Sequence, residues 1–131
     1  MSENGRLIFM TKICIALGFC LLVIISVSSA QAQNQAEGQK LYTAYCTSCH
    51  GDKGKGDGVA AGSLPVKPQD HTNGAVMNKM TDQALADVIS KGGGATGKSS
   101  FMPAWGSSLN EKQVRDIVAY IRSLAVPPYK Q

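Results

Sequence analysis

The pattern of apolar and polar positions along the chain predicts three helices and no strand of useful length. The clearest helix begins after Asn110, where apolar residues recur at helical spacing: Val114, Ile117, Val118, Ile121 and Leu124. Asn110 is a favourable N-cap and Gln113 completes a capping box, because each side chain can bond a free backbone N–H of the first turn. Pro127 prevents the helix from continuing beyond Val126.

Two earlier segments show the same periodicity. Residues 82–91 are predicted to form a helix that Thr81 caps and that ends at the glycines beginning with Gly92. Its apolar stripe consists of Leu85, Val88 and Ile89. Residues 35–45 are predicted to form the remaining helix, whose apolar side carries Leu41, Tyr42 and Tyr45.

The first thirty residues have the pattern of a targeting segment rather than of a folded domain. A basic start precedes an uncharged run from Ile13 to Ile25, and small residues follow it. Ala30-Gln31-Ala32 has the A-x-A form that signal peptidase reads. We therefore expect residues 1–32 to be a signal peptide and residues 33–131 to be the exported, periplasmic domain. The alternative is an uncleaved N-terminal membrane anchor.

Composition and charge narrow the classes of function. The 131 residues have room for one small domain, and 44% apolar against 17% charged residues indicates a globular chain. The formal net charge of +4 is mild and unclustered, which argues against a nucleic-acid-binding surface. The length excludes most self-contained enzymes with large α/β folds.

Two cysteines remain for chemistry if the N-terminal segment is removed. Cys14 and Cys20 leave with that segment, whereas Cys46 and Cys49 stay in the domain. Small domains usually need a disulfide, metal or cofactor to be stable. Cys46 and Cys49, followed at once by His50, form the C-x-x-C-H pattern of c-type haem attachment. The spacing lets two thiols on one helical turn add to the two haem vinyl groups, with His50 beneath the iron.

Three other interpretations of the cysteine pair fit the sequence less well. A thioredoxin-like redox pair is expected in a βαβ context, which the pattern does not show. A zinc site needs two further ligands, and His71 alone cannot supply them. A disulfide between Cys46 and Cys49 would close a very short loop and stabilise the fold little.

A haem iron held by His50 has a sixth position, which is either open or filled by a second side chain. The candidates are His71, Met77, Met80 and Met102. Met102 is favoured because it lies in a Gly- and Ser-rich loop between two helices, where Pro103 keeps its backbone extended. A lone methionine is otherwise typical of gap-filling in a core, and Met77 and Met80 are expected to line the core or the haem.

With these motifs, residues 35–131 resemble a small class I cytochrome c of the bacterial monohaem type. The resemblance implies an all-α class I cytochrome c fold, with three or more helices around one covalently bound haem c. It also implies thioether bonds at Cys46 and Cys49, axial ligation by His50 and Met102, and a partly exposed haem edge. In the family a small residue and an aromatic four positions apart let the first helix pack on the last.

That family pattern assigns further residues. Gly38 and Tyr42 match the close helix crossing, and their expected partners are Ile117 and Tyr120. A backbone carbonyl in the proline region, at Pro65 or Pro68, is expected to accept a hydrogen bond from His50 and strengthen its donation to iron.

Three further regions lie near these motifs. Residues 51–62 are expected to be a flexible loop, and His71 is expected to be a polar loop residue rather than a ligand. Trp105 lies three residues after Met102. It is expected either to pack at the haem pocket, where it could donate to a propionate, or to fill the core.

Function follows from the coordination that the resemblance implies. With His50 and Met102 both bound, iron has no free position for a substrate, which predicts a one-electron carrier and not an enzyme. The expected partners are larger redox proteins met transiently by a monomer, with no nucleic acid and no membrane contact beyond an uncleaved N-terminal segment. The alternatives are a membrane-tethered cytochrome c subunit of a respiratory oxidoreductase, and a haem enzyme or sensor whose sixth ligand dissociates.

Overall fold

The computed structural model describes residues 35–129, which form helices joined by turns. The α-helices are α1 (35–45), α2 (Thr47–His50), α3 (Gly74–Met77), α4 (Asp82–Lys91) and α5 (Glu111–Leu124). Short 3-10 turns lie at Ala61–Ser63 and Gly94–Thr96. Over the same residues the β structure is limited to one isolated parallel bridge between Asn73 and Val126. The expected all-α class is confirmed.

The predicted signal peptide or anchor at residues 1–32 lies outside the described residues. Among the residues that are described, none of the helices combines the length and the apolar character needed to cross a lipid bilayer.

The two predicted helix starts are confirmed by their cap bonds. At α4 the Thr81 hydroxyl accepts a hydrogen bond from the Ala84 backbone N–H at 3.1 Å. At α5 the Asn110 side chain accepts from the Gln113 N–H and the Gln113 side chain accepts from the Asn110 N–H, each at 3.0 Å. These local bonds satisfy backbone donors that a helix leaves free, so the caps set where both helices begin.

Helix α1 crosses α5 closely at Gly38. A Cβ at position 38 would overlap the backbone carbonyl oxygen of Asp116 and would lie 3.1 Å from the Tyr120 Cβ. One turn further along, the rings of Tyr42 and Tyr120 meet edge to face, with their centroids 5.1 Å apart. The expected contact with Tyr120 is confirmed, whereas Asp116, rather than Ile117, lies against Gly38. Asp116 takes the place expected for Ile117 because the two helices approach so closely that α1 contacts the backbone of α5.

The core lies between α1, α4 and α5, and its residues come from helix faces that the sequence pattern had indicated. Tyr42, Ile117 and Met77 are the largest fully buried side chains. Residues from α4 and α5 complete it: Leu85, Ile89, Val114, Val118 and Ile121. Burial of such apolar surface is the main stabilising contribution to a small domain.

A single guanidinium ties α5 to the segment between α3 and α4. Arg122 donates through Nη1 to the Met77 carbonyl and through Nη2 to the Met80 carbonyl. Its Nε donates to the Asp82 carboxylate at 2.8 Å, and its guanidinium stacks over the ring of Tyr129 at 3.7 Å. Charge-assisted bonds from a largely buried guanidinium are stronger than ordinary ones, so Arg122 fixes the backbone around both methionines.

The Gly38 contact generates a stability prediction. Gly38→Ala should destabilise the fold, although alanine in an open helix position is more favourable than glycine by about 1 kcal/mol. The added methyl must push α1 away from the Asp116 carbonyl, and overpacking of this kind costs about 1–3 kcal/mol. The measurement is the free energy of unfolding in denaturant. The matched control is Gly62→Ala, where an added Cβ meets no atom within 4 Å. Equal stability of the two variants would contradict the close crossing.

Candidate functional site

A cavity of about 300 Å³ gathers the chemistry-bearing residues of the domain. Both cysteines of the C-x-x-C-H motif line it together with His50, and so do the three candidate methionines. The rest of its lining is mainly apolar, with side chains from the core helices such as Leu85, Ile89 and Ile121. The cavity therefore joins thiols, an imidazole and thioethers inside a largely apolar pocket.

The two thiols lie one helical turn apart, at the junction of α1 and α2. Cys46 is buried and Cys49 is half-buried, and neither forms a disulfide. Burial, with a smaller contribution from the neighbouring Cys49, raises the pKa of the Cys46 thiol to about 12. Cys46 is therefore a protonated thiol at neutral pH in the folded chain.

His50 is held in one orientation by a backbone carbonyl. Its Nδ1–H donates to the Gln69 carbonyl oxygen at 3.0 Å, which leaves Nε2 with a free lone pair. Burial lowers the pKa of His50, so the neutral imidazole that binds metals is favoured. The expectation that Pro65 or Pro68 supplies this carbonyl is wrong, because the Pro68 carbonyl faces Gly56 and the next carbonyl along the chain faces His50.

His71 lies in a turn, as expected of a loop residue, but it is buried against His50. The two imidazoles are stacked, with their centroids 4.3 Å apart and their planes 18° from parallel. Nδ1 of His71 and the Tyr42 hydroxyl form a hydrogen bond of 3.0 Å.

Both members of this pair are neutral. Burial, helped by the neighbouring His50, lowers the pKa of His71 to about 3. Burial also raises the pKa of Tyr42. At neutral pH the pair therefore adds a flat, uncharged ring to one side of His50.

Met102 lies in the loop between α4 and α5, and its backbone is held on both sides. Its N–H donates to the Ser99 carbonyl at 3.1 Å, and its own carbonyl accepts from the Gly93 N–H at 3.0 Å. The side chain is half-buried and lines the cavity. Met77 and Met80 line it too, so the cavity brings together all three methionines that the sequence offered as candidates.

Trp105 belongs to the core rather than to the cavity. Its ring meets that of Tyr45 edge to face, with centroids 5.1 Å apart, and its backbone N–H donates to the Ile89 backbone carbonyl at 2.9 Å. This packing fits the expectation that Trp105 fills the core, and Trp105 is not among the residues that line the cavity.

The loop that follows the cysteine motif, which was expected to be flexible, makes a series of close backbone contacts. Gly56 donates to the His50 carbonyl at 2.8 Å, and the Gly54 carbonyl accepts from the His71 N–H at 2.7 Å. Both glycines have positive φ, 73° at Gly54 and 69° at Gly56, which other residues adopt at a cost. A Cβ at Gly56 would also overlap the Pro68 carbonyl oxygen. The repeated glycines were thus a packing signal that sequence reasoning missed.

The rim of the cavity is apolar and basic. Val66 and Phe101 line the cavity and are more than half exposed, at 61% and 57%. The two charged residues in the lining of this cavity are Lys67 and Lys98. The rim therefore offers apolar contact beside positive charge.

Comparisons with known proteins agree with this arrangement. Residues 33–121 match the family model described as cytochrome c oxidase, cbb3-type, subunit III. The cbb3-type cytochrome c oxidase subunit FixP of Bradyrhizobium diazoefficiens is 30% identical over 90 residues, which are 68% of this chain and 27% of FixP. Cytochrome c6 of Nostoc sp. is 27% identical over 116 residues, which are 88% of this chain and 94% of that protein. The chain thus spans about a quarter of FixP and nearly all of cytochrome c6.

The contact at Gly56 generates a second prediction. Gly56→Ala should destabilise the fold more than Gly97→Ala, although the two positions have nearly the same φ, 69° and 72°. Position 97 has no atom within 4 Å of an added Cβ, so its variant carries only the left-handed backbone cost of about 1–2 kcal/mol. The variant at position 56 carries the same backbone cost and, in addition, an overlap of its Cβ with the Pro68 carbonyl oxygen. Denaturant unfolding of both variants measures the difference, and indistinguishable values would argue against a tightly packed loop.

Proposed function

The chain belongs to the cytochrome c family, and from that premise we propose that it is a one-electron carrier with a single, covalently attached haem c. The observation that supports the proposal is that Cys46, Cys49 and His50, whose Nε2 is free, line one largely apolar cavity. The family implies haem c, and Cys46, Cys49 and His50 fit its attachment motif.

In this proposal each residue of the motif has a separate task. Cys46, at the junction of α1 and α2, and Cys49, one helical turn later in α2, would form the thioether bonds to the two vinyl groups of one haem. His50 binds iron through Nε2, because Nδ1 is engaged by the Gln69 carbonyl. That bond fixes the imidazole and strengthens its donation to the metal.

Met102 is our choice for the second axial ligand. Its loop lies outside the helices, the backbone of Met102 is bonded to Ser99 and Gly93, and the side chain lines the cavity. Met77 belongs to the apolar core and Met80 packs against it, which suits them instead for lining the pocket. With His50 and Met102 both bound, no position is left for a substrate, which favours a carrier over an enzyme.

When bound, haem c supplies a reversible change between Fe(III) and Fe(II). The residues of this chain bias that change towards the reduced form. A methionine thioether ligand raises the potential, and an apolar lining solvates the additional ferric charge poorly.

The rim of the cavity is our candidate for the contact with larger redox proteins. Val66 and Phe101 supply exposed apolar area, while Lys67 and Lys98 add positive charge beside it. A small contact of this composition suits transient encounters and favours partners with an acidic surface.

A second candidate function is a haem-bearing subunit of a membrane oxidase. The match to the cbb3-type subunit III model and the similarity to FixP favour it. The two candidates differ in the fate of residues 1–32. We propose that this segment is removed after Ala32 and that the domain from residue 33 onwards acts in the periplasm as a monomer, whereas a retained segment would tether the same domain.

Met102→Ala should abolish the weak ferric methionine–iron absorption at the red end of the visible spectrum and should lower the potential. The variant should also bind carbon monoxide when reduced, because its iron has an open position, whereas the unsubstituted protein should not. Spectra of the purified oxidised and reduced proteins give both readouts. Met80→Ala is the matched control and should keep the absorption. Survival of the absorption in Met102→Ala would reject this ligand, and carbon monoxide binding by the unsubstituted protein would favour an enzyme or sensor.

Intact-mass analysis of the purified protein tests attachment and processing together. After extraction with acidified acetone, the mass should equal that of a chain starting at Gln33 plus one haem, because thioether bonds resist this treatment. Replacing both Cys46 and Cys49 by alanine should give a chain that loses its haem on extraction. Haem loss from the unsubstituted protein would contradict covalent attachment, and a retained residue 1–32 segment would support the tethered subunit.

A further inference from the structure

We propose that His71 is a positioning residue for the proximal ligand: its ring fixes the plane of the His50 imidazole, and the Tyr42 hydroxyl fixes the ring of His71. This inference rests on the proposed function, because it takes His50 as the axial ligand. It assigns a task to a buried polar pair that neither the attachment motif nor the second ligand accounts for.

The contact between the two imidazoles is extensive and well defined. Their centroids are 4.3 Å apart and their planes differ by 18°, so the two rings are stacked and nearly parallel. A stacked neighbour of this kind resists rotation of the His50 ring out of its plane, because rotation would bring ring edges into contact with the face of His71.

His71 is itself held by two hydrogen bonds. Its Nδ1 and the Tyr42 hydroxyl are 3.0 Å apart, and its backbone N–H donates to the Gly54 carbonyl at 2.7 Å. The absence of a side chain at Gly54 allows this approach, since a Cβ there would lie 3.2 Å from the His71 Cβ and 3.3 Å from the Tyr42 hydroxyl oxygen. The ring of Tyr42 is completely buried and is packed in turn against Tyr120.

One short segment therefore holds His50 in two ways. The Gln69 carbonyl accepts from Nδ1 at the edge of the ring, and His71, two residues later, covers its face. The Asp70 side chain between them accepts from the Thr72 N–H at 2.8 Å, which stiffens the segment as a turn. A single hydrogen bond at the edge constrains the plane of the imidazole only weakly, and the contact with its face adds a second constraint.

Simple core filling does not explain this choice of residue. A leucine would fill a buried position without the desolvation cost that a buried imidazole carries. His71 retains a flat ring together with a polar atom whose partner, Tyr42, is positioned to keep the ring from turning. A flat ring in a fixed orientation can constrain a neighbouring ring, whereas filling a buried space with apolar atoms requires neither property.

The consequence for the site is a fixed donation from His50 to iron. If the imidazole turns, its hydrogen bond to Gln69 lengthens, its donation weakens, and the ferric state loses stabilisation. Loss of the flat ring at position 71 should therefore raise the potential and change the orientation of the axial imidazole.

The test uses the haem-loaded protein and three substitutions. His71→Leu removes the flat ring, His71→Phe keeps a flat ring without the polar atom, and Tyr42→Phe removes only the hydroxyl. Proton NMR of the ferric protein reports the plane of the axial imidazole through the pattern of the four haem methyl shifts. The second readout is the midpoint potential, measured at one neutral pH.

We expect His71→Leu to change the order or the spacing of the four haem methyl resonances and to raise the midpoint potential. His71→Phe should keep the methyl pattern and the potential close to those of the unsubstituted protein. Tyr42→Phe should change the methyl pattern and the potential in the same direction as His71→Leu, but by a smaller amount. A merely structural role for His71 would change the unfolding temperature of the variants without this dependence on ring shape.

Two outcomes would overturn the proposal. One is an unchanged methyl pattern in folded His71→Leu, and the other is a change in His71→Phe as large as that in His71→Leu. If His71→Leu does not fold, Tyr42→Phe carries the test, and an unchanged pattern in it rejects the pair as stated. Failure of the proposed ligation is distinguishable, because the unsubstituted protein would then lack the low-spin signals of histidine and methionine ligation.

Discussion

The close crossing of α1 and α5 at Gly38 is the constraint on which the rest of the structure depends. Helix α1 ends at the cysteine motif, so the contact between Gly38 and the Asp116 backbone determines where Cys46, Cys49 and His50 lie. The apolar face of α5 then closes the core behind them. A side chain at position 38 would separate the helices and displace the motif as a unit, although it lies two turns away.

Features set by neighbouring residues were predicted well from the sequence. Local hydrogen bonds determine the caps at Thr81 and Asn110 and the extents of α4 and α5. Because these bonds join residues a few positions apart, a short stretch of sequence contains all the information needed to predict them. The C-x-x-C-H motif is local in the same sense. The cavity around it agrees with the chemistry that its residue types indicate, since both thiols and His50 line one apolar space.

Features set by distant residues could not be read in the same way. The partner of His50 is Gln69, nineteen positions further on, and the carbonyl of any residue in that segment has the same chemical capacity. His71 lies in a turn as expected, but nothing in its neighbourhood along the chain indicates its burial. Its environment is made by Tyr42, Gly54 and His50, which only the fold brings together.

The bonds of Arg122 also determine which parts of the domain open together. One side chain on α5 holds two carbonyls near the cavity, the start of α4 at Asp82 and the ring of Tyr129. Segments that share such a centre are expected to fluctuate as one cooperative unit rather than to fray separately. The lining around Met77 and Met80 therefore has the local stability of the last helix, and hydrogen exchange in both should proceed through a common opening.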